Sequence, residues 1–239
     1  MYKVLANDII VGVIDEPSYV RYQNRNGKFL SCDKHYAQGV LSQDGNIIWH
    51  LKDRAVIPAS GYTTVELIEI EQDEYEMLKS IFDNKDEYSD ENAVLDAVQE
   101  ATLEVVATDK INKMKQECGN AITSGFDITL SDGNIYHFTL TLEDQINMIE
   151  LKNLYDLGEE QIPYHSSGEL CKYYSANDID AILKASDAHK NYHIVYYNSL
   201  RNYIKSLADI AKLNSVEYGS KIPKKYQSEV LKKIMEDKS

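Results

Sequence analysis

The chain has 239 residues, enough for one or two domains that each bury a core, and 43% hydrophobic with 27% charged residues is typical of a globular protein. Its formal net charge of −14 argues against nucleic acid as a partner, because acidic surfaces repel phosphate backbones. No apolar run approaches the roughly 20 residues of a membrane-spanning helix, so we expect no membrane insertion.

The first residues and the cysteines both indicate a reducing compartment. MYKVLANDIIVGVIDEP contains Asn and Asp where a secretory signal would need an unbroken apolar stretch. Cys32, Cys118 and Cys171 are widely separated and odd in number, which argues against a disulfide framework and against a cysteine-based zinc site. We expect buried free thiols and synthesis in the cytoplasm.

Residues 1–71 are predicted to form a small N-terminal β domain. Asn7-Asp8, the sequence NRNG at 24–27 and QDGN at 43–46 are turn signals between short apolar segments. TTVELIEI at 63–70 alternates apolar and polar side chains as a half-buried strand does. Short strands with turns every 8–12 residues are typical of a small sheet or barrel.

Residues 72–108 are predicted to form an acidic helical connector. From Glu66 to Glu104 there are 14 acidic residues and two lysines. This run could be a solvated face, or it could meet the lysine-rich C-terminal tail of another subunit.

A long helix is predicted from about residue 92 to 122, with two apolar seams that are offset from each other. Such a helix either packs on its own domain or associates with a second copy. The candidate interface residues are the apolar members of these seams and two tyrosines of a later helix: Leu95, Val98, Val105, Ile111, Met114, Tyr196 and Tyr203.

Residues 109–239 are predicted to form a helix-rich C-terminal domain with short β-hairpins, so that the whole chain belongs to the α+β class. Asp132-Gly133 is a hairpin turn, after which Thr141 and Asp144 form a capping box that opens a helix. We expect that helix to bury its aliphatic residues: Ile146, Ile149, Leu151 and Leu154.

A second capping box is predicted at Ser175 and Asp178, at the start of a helix that runs to about residue 212. Within it, His189 and His193 stand four residues apart, on one helical face, and could chelate a metal ion. Lys190 occupies the position where a catalytic zinc helix has Glu, and no third ligand is evident, although His137 and His165 are candidates. Packing is the alternative role, and we predict no metal site.

The sequence carries no convincing enzyme signature. His165 stands beside Ser166 and Ser167, but there is no GxSxG elbow, and neither phosphate-binding glycine motif occurs. We therefore predict no catalytic residues and no cofactor. The 18 tyrosines, against 4 phenylalanines and 1 tryptophan, favour extensive contact surface, with core packing as the alternative.

The C-terminal half resembles an uncharacterised domain of tail-fibre and baseplate proteins in tailed bacteriophages and prophages of Gram-positive bacteria. The resemblance covers roughly residues 109–239 and lies in KINKMKQECGNAITSGFDI, SDGNIYHFTLTLEDQINM and IPYHSSGELCKYYSANDIDAIL. The residues that carry it are Gly125, Phe126, Gly133, His137, Phe138, Gln145, Asn147, Pro163, His165, Gly168, Glu169 and Ser175.

The resemblance implies a structural role in the tail or baseplate of the virion, with no catalytic residues. The expected partners are other tail or baseplate proteins and further copies of this chain, for which a trimer is one candidate, and a receptor-binding protein is one candidate for attachment. The alternative is a receptor- or carbohydrate-binding module at the tail tip that uses Trp49 and surface tyrosines. A metal-dependent hydrolase on the histidine helix is a third hypothesis.

Overall fold

The computed structural model describes residues 1–23, 28–52, 54 and 64–237, so the predicted NRNG turn at 24–27 lies outside the described residues. The chain divides into two compact units, Met1–Val105 and Val106–Ser239. Strands dominate the first unit and helices the second, which confirms the α+β class. The three-part division at residues 71 and 108 stays a prediction.

The N-terminal unit contains a curled seven-stranded sheet in the order β2-β1-β7-β6-β5-β3-β4. All neighbouring strands are antiparallel except β6 and β7, which are parallel. Asn7 and Asp8 have φ values of 51° and 65°, the left-handed conformation that the tight β1–β2 turn requires. The strands are β1 (Tyr2–Ala6), β2 (Ile9–Ile14), β3 (Tyr19–Gln23), β4 (Lys28–Ser31), β5 (Gly39–Leu41), β6 (Ile48–Leu51) and β7 (Thr64–Glu69).

Two apolar clusters stabilise this unit. The first is built by the sheet itself and consists of Val4, Ala6, Ile14, Val40, Trp49 and Val65. The second joins the sheet to α1 (Gln72–Asp83) and to the start of α2 (Glu91–Thr123), through Val13, Ile70, Tyr75, Leu78, Val98 and Ala101. The predicted acidic connector thus supplies core side chains as well as charge. Lys3 and Glu74 add a largely buried ion pair of 2.6 Å between β1 and α1.

The C-terminal unit packs two small hairpins against helices. The first hairpin is β8 (Phe126–Thr129) and β9 (Ile135–Phe138), followed by α3 (Leu142–Asp156). The second is β10 (Gln161–Tyr164) and β11 (Lys172–Ser175), followed by α4 (Ala176–Lys205), α5 (Ile210–Ser215) and α6 (Glu229–Asp237). One apolar cluster of this unit consists of Phe126, Leu130, Phe138, Leu140, Met148, Leu151, Ile162, Tyr164, Tyr174, Ile179 and Ile182.

Gly125 makes the passage from α2 to the first hairpin. Its φ is +81°, and a Cβ atom built on it would lie 1.9 Å from the carbonyl oxygen of Phe138. Only glycine fits a left-handed residue at this close backbone approach.

The last long helix is shorter than predicted. α4 ends at Lys205 instead of about residue 212, and α5 begins separately at Ile210. The reason is an N-cap that was not predicted: the Asp209 side chain accepts a hydrogen bond from the Lys212 backbone N–H at 2.8 Å. An N-cap at Asp209 requires extended backbone there, so the preceding helix has to stop.

Candidate functional site

The N-terminus of α3 is tied to the strand before it by a group of short hydrogen bonds. Thr141 Oγ1 accepts from Asp144 N at 3.2 Å, and the Asp144 carboxylate accepts from Thr141 N at 3.0 Å, which is the expected capping box. The same carboxylate accepts from Thr139 Oγ1 at 2.8 Å. Gln145 Nε2 donates to the Leu140 carbonyl at 3.0 Å. Together these bonds fix the rotation of α3 about its axis.

That rotation buries a narrow inner face of α3. Met148 and Leu151, three residues apart, are 7% and 3% exposed in the core. The prediction that Ile146, Ile149 and Leu154 are buried is wrong, whereas Leu151 is buried as expected. Since α3 carries apolar residues on two faces, the cap geometry decides which face meets the core, and the richer aliphatic face is the one left outside.

The outer face of α3 leaves several aliphatic side chains exposed. We define it by Leu142, Ile146, Ile149 and Leu157, which are 79%, 60%, 63% and 79% exposed. Their spacing of 4, 3 and 8 residues places them along one side of the helix and its C-terminal end. Asn153 lies on the same side. Clustered aliphatic exposure of this kind marks a contact surface more often than a solvated one.

The two hairpins of the same unit also expose apolar side chains. Ile135 in β9 is 73% exposed, Tyr173 in β11 is 70% exposed, and Leu170 between β10 and β11 is 90% exposed. These residues do not pack on the core and, like the outer face of α3, are available to a partner.

The predicted hairpin turn at Asp132 and Gly133 is present, and its chemistry is structural. Gly133 has a φ of +79°. The Asp132 carboxylate accepts hydrogen bonds from the Tyr136 hydroxyl at 2.6 Å and from Asn134 N at 3.0 Å. These bonds lower the pKa of Asp132 to about 2, so that it is fully ionised at neutral pH.

Only half of the second predicted capping box forms. Ser175 Oγ accepts from Asp178 N at 3.2 Å, but the Asp178 carboxylate accepts from Ser131 N at 3.0 Å and Ser131 Oγ at 2.9 Å. Asp178 therefore joins the N-terminus of α4 to the first hairpin. Sequence spacing could not show this, because Ser131 stands 47 residues away.

The candidate interface residues of α2 and α4 have mixed exposure. Val98, Met114 and Tyr196 are 4%, 0% and 6% exposed, so they are packed within the chain and have almost no surface to offer a second copy. Val105, Ile111 and Tyr203 are half-buried, and Leu95 is 38% exposed. Three of the seven residues thus belong to the core, because the α2 seams face their own units.

The two histidines of α4 lie at a cleft of about 540 Å³ that Phe126, Asp127 and Tyr192 also line. Their ring centroids are 4.6 Å apart. His189 Nε2 lies 3.0 Å from the Ala121 carbonyl, and since a carbonyl oxygen only accepts, this nitrogen carries the proton. His193 Nδ1 lies 3.0 Å from the Tyr218 hydroxyl. Each histidine therefore uses one ring nitrogen in packing contacts.

Residues 165–167 lack the geometry of a nucleophile and its base. His165 Nδ1 lies 3.2 Å from the backbone carbonyl of Ser166, and Ser167 Oγ bonds to Thr139 at 3.1 Å. The Ser166 hydroxyl is buried and has no partner among the described residues. Across the described ranges, three His, Cys, Asp or Glu side chains never group closely enough to hold a metal ion.

Trp49 is unsuited to the sugar-binding role expected of it. Its side chain is 8% exposed and packs over Gly12, where a Cβ atom would lie 2.9 Å from the Trp49 ring. The part of the carbohydrate hypothesis that depends on Trp49 is therefore wrong. The reason is that Trp49, in β6, packs in the apolar cluster of the sheet with Val40 and Val65.

Comparison of the chain with family models, with curated proteins and with solved structures finds no match. Among the helices that the structure describes, none has the length and apolar character to cross a membrane. The exposed outer face of α3 was not predicted, although the sequence pattern indicates it. The helix has two apolar stripes and can bury only one of them.

Proposed function

We propose that this chain is a structural component of the tail or baseplate of a tailed bacteriophage or prophage-derived particle, where it acts by assembling with further copies of itself and with other tail proteins. The observation that carries the proposal is the outer face of α3. This helix buries Met148 and Leu151 in the core but leaves Leu142, Ile146 and Ile149 at least 60% exposed. It therefore has a second apolar face, which is available to a partner.

A second copy of the chain is the occupant that best suits this face. The face is aliphatic with one amide, Asn153, and its flanks carry both signs of charge, including a Lys152–Asp156 pair of 2.7 Å. A face whose own members carry no charge can meet its own copy about a two-fold or three-fold axis. This matters in a chain with a net charge of −14, whose copies otherwise repel one another.

The candidate catalytic positions add support of a different kind. His165 contacts a backbone carbonyl, and His189 and His193 use ring nitrogens in contacts within the chain. Burial raises the pKa of the Cys118 thiol, which keeps it in the unreactive neutral form. The resemblance of residues 109–239 to tail-protein domains then supplies the proposed setting.

The test is to find the protein in particles. Particles induced or propagated from the organism that encodes the chain are purified on a density gradient, and peptides of this chain are quantified by mass spectrometry against a known tail protein. We expect a fixed copy number per particle, with antibody labelling at the tail. Its confinement to the soluble cell fraction, with none in particles, would sink the proposal.

A further inference from the structure

The N-terminal unit contains a cleft of about 510 Å³ whose lining is unlike the rest of this acidic chain. Tyr2 from β1 and Tyr19 from β3 contribute aromatic rings, and Leu51, Val65 and Leu67 contribute aliphatic side chains. The volume is within the range of clefts that hold one small organic ligand.

Three cations line this cleft: Lys34, Lys52 and Arg54. Among the described residues of the lining the one acid is Glu66, so these residues together carry a net positive charge in a chain of net charge −14. Within the described residues, none of the three cations forms an ion pair. Asp53, between Lys52 and Arg54 in sequence, lies outside the described residues. Unpaired cations around a concave surface attract an anion.

Arg54 is held in place without being neutralised. Its Nη1 donates to the backbone carbonyl of Lys34 at 2.6 Å and to that of His35 at 3.3 Å. Carbonyl oxygens orient the guanidinium but leave its full charge, and no described residue accepts from the remaining N–H groups. A planar guanidinium fixed in this way suits two-point binding of a carboxylate or a phosphate.

The tyrosines add a second kind of recognition. Both side chains are half-buried, and neither hydroxyl has a hydrogen-bond partner among the described residues. Their rings can pack against the apolar face of a sugar ring, while their hydroxyls and the Glu66 carboxylate can bond to its hydroxyl groups.

We propose that this cleft, lined by Tyr2, Tyr19, Lys34, Lys52 and Arg54, binds a sugar-sized hydroxylated ring that carries a carboxylate or a phosphate group. The site belongs to the N-terminal unit and the outer face of α3 to the C-terminal unit, so the two share no residue. It also differs from the hypothesis of a sugar site at Trp49, since that residue is buried in the core.

Calorimetric titration of the full chain tests the site with four probes: glucuronate, glucose 6-phosphate, neutral glucose and inorganic phosphate. We expect the two anionic sugars to bind. We also expect added salt to lower their affinity, because salt screens a charge–charge contact at an exposed cleft. Binding of both anionic sugars would show that the site recognises the charge and the ring together. Binding of one alone would identify which anionic group it prefers. The proposal would be overturned if neither anionic sugar bound. It would also be overturned if glucose bound as tightly as the anionic sugars, or if inorganic phosphate bound as tightly as glucose 6-phosphate.

A charge-matched pair of variants locates the site. Lys34→Gln/Lys52→Gln removes two cations from the cleft, and Lys28→Gln/Lys85→Gln removes two exposed cations elsewhere in the same unit. We expect about a tenfold or greater loss of affinity in the first and no change in the second, because each lost charged hydrogen bond weakens binding strongly. Equal affinities in both variants, with circular dichroism showing both folded, would contradict the assignment. Tyr19→Ala should weaken the binding of both anionic sugars as well. Unchanged affinity in this variant would show that the Tyr19 ring does not belong to the site.

Discussion

The helices α3 and α4 begin in the same way and then use their apolar residues differently. Each follows a short hairpin, and each has a hydroxyl N-cap that accepts from an Asp backbone N–H three residues later. α4 buries its long stripe, with Ile179, Ile182 and Leu200 fully inside. α3 buries two aliphatic residues and leaves its richer stripe outside. The two helices therefore begin with similar local sequence signals, but α4 packs its apolar stripe in the core, whereas α3 leaves its richer stripe exposed.

The difference lies in the hydrogen-bond partners of the carboxylate at the third helical position, Asp144 in α3 and Asp178 in α4. Asp144 turns back to Thr141 and Thr139 and so fixes α3 to the strand that precedes it. Asp178 reaches across to Ser131 and fixes α4 to a distant turn. The local cap holds α3 at one rotation about its axis, and at that rotation Ile146 and Ile149 are exposed.

The largest predicted effect separates the two faces of α3. Leu151→Ala should lower the free energy of unfolding by about 2–5 kcal/mol, because it opens a cavity in the core around a residue that is 3% exposed. Ile149→Ala, two residues earlier on the outer face, should change it by less than about 0.5 kcal/mol. Urea unfolding of both variants at high dilution measures the contrast. Equal losses would show that the outer face is packed on its own unit.

The next effect concerns the carboxylate that crosses to the hairpin. Burial opposes ionisation of Asp178, but hydrogen bonds from Ser131 and Ser175 outweigh it and lower the pKa of Asp178. A folded-state pKa below the unfolded value of 3.8 stabilises the fold above about pH 4, and this is lost as the pH falls through the folded-state pKa.

Asp178→Ala should therefore cost about 1–2 kcal/mol at pH 7 and less at pH 3. Unfolding by urea at the two pH values is the measurement, with Asp180→Ala as the control, since Asp180 pairs with the exposed side chain of Lys184. A cost for Asp178→Ala that is the same at both pH values would mean that the carboxylate bonds to Ser131 contribute nothing.

A smaller effect is expected at the local cap of α3. Thr141→Ala removes the hydroxyl that accepts from Asp144 N and should cost about 1 kcal/mol. It should leave the oligomeric state unchanged, because Thr141 supplies no aliphatic surface. Thr141→Ser retains the hydroxyl and should behave nearly as the wild type in thermal unfolding. Loss of assembly without loss of stability in Thr141→Ala would place the cap itself in the contact surface.

Much of the local structure could be predicted from sequence because its causes lie within a few residues. Asn7-Asp8, Asp132-Gly133 and Thr141 with Asp144 each set their own turn or cap, so spacing was enough. The inner face of α3, the bond from Asp178 to Ser131 and the burial of Trp49 depend on partners far away in the chain. The cations of the N-terminal cleft come from two separate stretches, Lys34 in one and Lys52 with Arg54 in the other, and no sequence pattern links them to Tyr2 and Tyr19.

If the outer face of α3 joins copies of this chain, as we propose, then the molar mass measured by light scattering depends on that face. Ile146→Asp/Ile149→Asp places two charges on that face, and Ile194→Asp/Val230→Asp places two on exposed positions of α4 and α6 in the same unit. We predict a whole-number multiple of the chain mass for the wild type and the control, and the mass of one chain for the α3 variant. A single-chain mass for the wild type at every concentration, or the same multiple for all three proteins, would contradict the account.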